Sequence, residues 1–193
     1  LNFYQNNPNA IVLEQKKPDT ISLQEALVKR NAYAYTNEQK ENFFFKDLLK
    51  YHTNELGMMV SNYIQNDGTI KFVDDGDSAL WTGTLVASMA FKYLKTGDPL
   101  AYQQMKKSLN GLLLLTEVNQ NNDQFSRTLR LNNVPLEPEW EVGPKPYDYL
   151  QHKVGGNNDM LKGLVYGYFL GYLALNENET AFKNRIKQAS ENL

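Results

Sequence analysis

The sequence contains no cysteine, which removes a disulfide framework, a thiolate zinc site and a cysteine nucleophile together. Histidine is scarce, with His52 and His152 the two present. No apolar run is long enough to span a bilayer: the best stretch, Leu161–Leu175, is too short and carries Lys162 near its start. An excess of one charge is missing as well. The formal net charge is −2, and the basic residues are scattered among acids. Nothing therefore argues electrostatically for nucleic acid or an anionic membrane. No signal peptide is visible. The chain opens on Leu1 rather than Met and closes on Leu193 within a helical pattern. These ends suggest a processed precursor, secreted or periplasmic after loss of a leader, or a piece of a longer protein.

What is present is ordinary globular material. The 193 residues are 41% apolar and 22% charged, which suits one soluble domain, or part of one, with enough chain for a core. Residues 1–20 carry Asn, Pro and Lys without a sustained period and read as an extended arm; residues 21–193 read as one helical domain. Ser22 with Glu25, and Thr36 with Gln39, are capping boxes. The first opens a helix to about residue 34, the second a long helix over about 37–64. Asn66-Asp67-Gly68 marks a turn, followed by a short extended run over Thr69–Val73.

A helix over about 78–95 follows, apolar around most of its circumference, with Thr96-Gly97 as its stop. Asp98 as N-cap and Pro99 at the first helical position open the next, to about Val118, striped on one side by Ala101, Met105, Leu109, Leu112 and Leu115. Residues 120–157, rich in proline, read as a long irregular loop, and a loop of this length is more often functional than not. Another all-round apolar helix spans about 159–175, then an amphipathic one striped by Phe182, Ile186, Ala189 and Leu193. Helices apolar all round are interior helices. The order interior-then-surface thus occurs twice, with Gly83 matching Gly163, Ala101 matching Ala181 and Tyr102 matching Phe182 at an offset of eighty residues. The expected architecture is all-α: antiparallel helical hairpins forming part of an α/α toroid, whose two inner helices run parallel and are the more buried.

Parallel inner helices put their N-termini at one end. Asp74, Asp75, Asp77 and Trp81 sit at one entrance, and Asn157, Asn158 and Asp159 at the other. Packed helices lie ~8–10 Å apart. Asp77 and Asp159 then have the ~6.5–9.5 Å reach of an acid and a base with water between them, as in inverting glycoside hydrolysis. Both positions are also where Asp simply stabilises a helix start. A helix N-terminus lowers a carboxyl pKa, which favours a base or ligand-binding role over a proton donor. Asp74-Asp75-Gly76-Asp77 fails as a calcium loop, because Leu85 stands where a bidentate Glu belongs; no metal or cofactor is expected. Trp81 is a core residue or a sugar-stacking platform. Gly163, Gly167 and Gly171 make a smooth face for close packing. His152 lies near Asp148 as a proton carrier or a loop histidine, and His52 reads as surface or core. Arg127 and Arg130 either bind an acidic group or are solvated. Trp140, Tyr147 and Tyr149 add aromatic surface to the loop.

The run DGDSALWTGTLVASMAFKYLKTGDPLAYQQMKKSLNGLLLLTEV resembles a hairpin of the six-hairpin, α/α-toroid, glycosidase-like superfamily, with its acidic-aromatic entrance and T-G-D-P-type turn. The run GGNNDMLKGLVYGYFLGYLAL is similar to a later inner helix, keeping Gly155 and Asp159 but carrying Gly156 and Asn157-Asn158 where an acid and a hydroxyl are usual. Covering about 74–118 and 155–190, the resemblance implies a partial toroid with a carbohydrate-binding cleft at the inner-helix entrances. Two functions follow. One is a carbohydrate-active enzyme (hydrolase, lyase or epimerase) using Asp77 and Asp159, with substrate contacts from Asp74, Asp75, Trp81, Arg127, Trp140, Tyr147, His152, Asn157 and Asn158. The other is a non-catalytic scaffold that binds a glycan or a protein through the same end.

Overall fold

A computed structural model describes residues 35–73, 76–119 and 124–193. The arm at 1–20, the helix expected over 22–34, Asp74 and Asp75 lie outside them. Among the described residues are five helices and two antiparallel sheets. This overturns the all-α toroid expectation: the domain is mixed α/β. The strands escaped notice for a physical reason. Each is four residues or fewer, and in the larger sheet neighbouring strand residues are buried on both faces, so no two-residue alternation appears in the sequence.

Helix α1, Asn37–Tyr51, starts on the expected capping box: Gln39 N–H donates to Thr36 Oγ1 at 3.2 Å, and Thr36 N–H donates to Gln39 Oε1 at 2.9 Å. It stops well short of residue 64. Asn54 bends the chain, its Oδ1 accepting from the N–H groups of Leu56 and Met58, both at 3.0 Å. Such local side-chain bonding competes directly with helix continuation. Strands β1 (Ser61–Ile64) and β2 (Ile70–Val73) then form a hairpin. Its turn is the expected one, with Gly68 at φ 83° and Thr69 N–H donating to Asp67 Oδ1 at 2.9 Å.

Helix α2 (Ser78–Thr96) ends on left-handed Gly97, and α3 (Pro99–Glu117) starts with Leu100 and Ala101 N–H groups donating to Asp98 Oδ1. Helix α4 (Asn158–Ala174) and α5 (Thr180–Glu191) complete the set. Between α3 and α4 the supposed irregular loop contains a second sheet of β3 (Thr128–Leu131), β4 (Glu141–Val142) and β5 (Leu150–Lys153), with β5 in the middle.

The core inverts the expected burial. Helix α3 is the central one: its predicted stripe of Ala101, Met105, Leu109, Leu112 and Leu115 is fully buried, and so is its polar side at Gln104, Lys107 and Ser108. The segment around Gly57 covers that polar side. Ser108 Oγ donates to the Gly57 carbonyl at 2.8 Å, and Gln104 Nε2 donates to Ser108 Oγ at 2.9 Å. Polar groups that satisfy each other can be buried without large cost. Helices α2 and α4, apolar all round, instead leave Phe91, Leu94, Val165, Tyr166, Phe169 and Leu173 exposed.

Helices α2 and α4 do run parallel. A Cβ at Gly163 would meet Leu80 and Ala79, one at Gly167 would meet Gly83, and one at Gly171 would meet Val86. Contact positions thus climb both helices together. Gly83 and Gly163, one of the pairs matched at the eighty-residue offset, touch: the space for a Gly83 side chain is filled by the Gly163 backbone. The expected glycine face is therefore a backbone-to-backbone seam.

Candidate functional site

The parallel seam sets the first turns of α2 and α4 side by side. Asp77 occupies the N-cap position of α2 but its side chain makes no cap hydrogen bond. Its carboxylate lies 3.8 Å from Arg127 Nη2 and is 58% exposed. Arg127 also donates from Nε to the Gly76 carbonyl at 3.1 Å, while its own carbonyl accepts from Ala79 N–H at 3.1 Å. On α4, Asn157 is the cap: its Oδ1 accepts from Asp159 N–H at 3.0 Å and Met160 N–H at 3.2 Å. Asp159 pairs with Lys162 at 2.7 Å and is 66% exposed. The Phe125 ring occupies the space beside Gly156, whose N–H donates to the Phe125 carbonyl at 3.3 Å. Residues 125–127 therefore stitch both entrances together. Asp77 and Asp159 stand at the same end, each open to solvent and each beside a cation.

Two hollows flank this end. On one side of α2, half-exposed Trp81 borders a hollow of about 260 Å³ lined by His52, Met59, Val60, Ser61 and Asn62. Asn62 Nδ2 donates to the Tyr51 carbonyl at 2.7 Å and lies 3.2 Å from His52 Nδ1; His52 Nε2 is 3.9 Å from Asp47. On the other side, between α2 and α4, an open groove of about 760 Å³ is lined by Leu80, Thr84, Asn158, Leu161, Val165, Tyr166 and Phe169, among others. Asn62 and Ser61 were invisible as site residues in the sequence, because a helix extended to residue 64 would have placed them elsewhere.

The remaining sequence candidates belong to the second sheet. Trp140 is 5% exposed with the Arg130 guanidinium 3.9 Å from its ring centre, so it offers little stacking surface. Arg130 Nε donates to Gln151 Oε1 at 2.8 Å. Tyr147 is half-buried, its hydroxyl 3.5 Å from Glu117 Oε2; burial and then the Glu117 charge push its pKa up to about 12. His152 is buried on the central strand, with Nδ1 2.8 Å from the equally buried Ser126 Oγ. Among the described residues, no group of three or more His, Cys, Asp or Glu could hold a metal ion, and no helix is long and apolar enough to cross a membrane.

Burial lowers the His152 pKa, with the Glu141 charge across the strand pair opposing it. A folded pKa below the unfolded value means the unfolded chain binds the extra proton. The stability that neutral His152 contributes is then complete above the unfolded pKa of about 6.5 and lost as pH falls through the folded value. Thermal melts from pH 7.5 downwards should show the wild type losing more stability below about pH 6.5 than His152→Gln does. Equal slopes would assign the acid sensitivity to other groups.

Comparison of the chain with protein-family models, curated proteins and solved structures finds no match. Fold and site geometry define a mixed α/β domain with a parallel, glycine-seamed helix pair and a polar-aromatic end.

Proposed function

We propose that this domain binds carbohydrate at the shared entrance of α2 and α4, with Trp81 as the stacking platform and Asp77 and Arg127 as polar arms. The observation that supports this most is the half-exposed Trp81 bordering a hollow whose wall carries His52, Ser61 and Asn62. A flat aromatic face beside convergent amide, hydroxyl and imidazole groups matches the alternating apolar and hydroxylated faces of a sugar ring. Asp77, one helical turn before Trp81, lies beside Arg127, so a carboxylate and a guanidinium stand at the same end of α2 as the platform.

The carboxylates favour binding over hydrolysis. A general acid must hold its proton near neutral pH, which burial achieves. Asp77 and Asp159 are 58 and 66% exposed, so neither is withdrawn from water. Hydrolysis or elimination keeps one supporting observation, the placement of both carboxylates at one end of a parallel pair. Glycan-array screening followed by calorimetry tests the proposal. Wild type is expected to bind at least one glycan class, and Trp81→Ala to weaken that binding by tenfold or more, about 1.4 kcal/mol. An array without wild-type binding, or equal affinity in the variant, would overturn it. Asp77→Asn distinguishes the two readings: it weakens binding modestly under the first, and abolishes turnover under the second.

A further inference from the structure

We infer that the outer face of the α2–α4 pair is a homodimer interface, occupied by the same face of a second copy of this chain. The face is made by Phe91 and Leu94 on α2 and by Val165, Tyr166, Phe169 and Leu173 on α4, exposed by 54, 57, 53, 46, 61 and 55% respectively. On α2, Phe91 and Leu94 are the exposed apolar positions of this face, and exposed Thr84 and Ser88 lie on the same side of the helix, between them and Trp81.

Area is the first argument for a second copy. An aromatic side chain carries about 150–250 Å², so six half-exposed apolar residues offer on the order of 600 Å², already at the upper end of the largest patch on an ordinary monomer. With Leu80, Thr84 and Leu161 in the adjoining groove, the area approaches the roughly 800 Å² per partner of a stable complex.

Charge is the second. On α4 the exposed positions Val165, Tyr166, Phe169 and Leu173 are apolar, and Lys162, the charged residue among those lining the groove, is already paired with Asp159 at 2.7 Å. A surface whose lining charge is already paired has little to repel its own image, which a two-fold interface requires. The chain's net charge of −2 adds little long-range repulsion between copies. A two-fold axis across the helices opposes the helix dipoles of the two copies.

Shape is the third. The groove of about 760 Å³ lies beside the Val165–Phe169–Leu173 ridge, so each copy presents a ridge to the other's groove, as in packed helices generally.

Sedimentation of the 193-residue chain tests this directly. The expected result is a species of twice the 22.2 kDa chain mass at tens of micromolar, dissociating on dilution. Phe169→Glu should weaken self-association at least tenfold while leaving the far-ultraviolet spectrum and melting cooperativity of the monomer intact, since the side chain is exposed. Leu100→Glu, at an equally exposed apolar position at the start of α3, should leave the dimer unchanged. A wild type that remains monomeric at 100 μM would overturn the inference, whatever other ligand the face takes. So would a dimer that Phe169→Glu does not weaken or that Leu100→Glu disrupts.

Discussion

Gly83→Ala should destabilise this domain by about 3 kcal/mol or more, although it adds a single methyl group to a helix. On propensity alone the change is favourable, because alanine is the better helix former by nearly 1 kcal/mol. The seam reverses the sign. The new Cβ would fall on the Gly163 carbonyl, which is backbone and unable to rotate aside, so α2 and α4 must separate and lose contacts along several turns. Overpacking in a tight core commonly costs about 1–3 kcal/mol, and more where backbone must move. For a domain of this size that corresponds to a fall in Tm of about 6–12 °C. Gly97→Ala provides the contrast. A Cβ there meets nothing within 4 Å, but the residue sits at φ +69°, so the penalty is torsional and about 1 kcal/mol. Chemical denaturation of both variants checks the order. A Gly83→Ala protein as stable as wild type would mean that the helices are not in backbone contact.

Glu117→Ala should cost about 2–3 kcal/mol, the largest effect expected from a charged position. Glu117 takes both arms of Arg185, at 2.8 Å from Nε to Oε1 and 2.9 Å from Nη2 to Oε2, and Arg185 Nη1 also donates to Asn110 Oδ1 at 2.9 Å. The two side chains are 24 and 17% exposed. Ordinary surface pairs contribute little, but a bidentate pair largely withdrawn from water is different. Removing the carboxylate strands a guanidinium that water only partly reaches. The pair also joins α3 to α5, and the Tyr147 hydroxyl joins the sheet to the same carboxylate, so loss of Glu117 loosens three elements together. Calorimetric melts of Glu117→Ala and Glu117→Gln check this. The amide retains part of the bonding, so its loss should be smaller. A melting point unchanged in both variants would reduce the pair to a surface contact.

Several helix starts and stops are plain in the sequence because they rest on local chemistry: Thr36 with Gln39, Asp98 with Pro99, and left-handed Gly97; the end of α1 at Tyr51 is not among them. The glycine seam was legible too, since Gly163, Gly167 and Gly171 repeat every four residues and Gly83 matches Gly163 at the internal offset. Which helix sits in the middle was not. Hydrophobic pattern says which faces avoid water, not what provides the cover. Gln104, Lys107 and Ser108 lie off the apolar stripe of α3, yet a turn more than forty residues earlier in the chain buries them. Conversely, the apolar ring of α4 read as interior, and half of it faces outward. The candidate site divided in the same way. Asp77, Arg127, Asn157 and Asp159 came to one end because two helix starts and one connecting segment define that end. Trp140 and His152 were absorbed by a sheet whose strands are too short, and too buried on both faces, to leave a periodic trace.

The seam also bears on how the chain reaches its structure. Helices α2 and α3 are joined by a two-residue turn and can pair soon after both exist. Helix α4 arrives more than sixty residues after α2 ends, and β3, β4 and β5 lie within that span. Closing so long a loop costs entropy before any contact returns it, and topologies rich in distant contacts fold slowly. Until α4 docks, the α2 face around Gly83 and Val86 stays open to water or to the wrong partner. The helix pair with the closest contact in the finished protein is therefore among the last to form, and a slow step in refolding is expected to coincide with its closure.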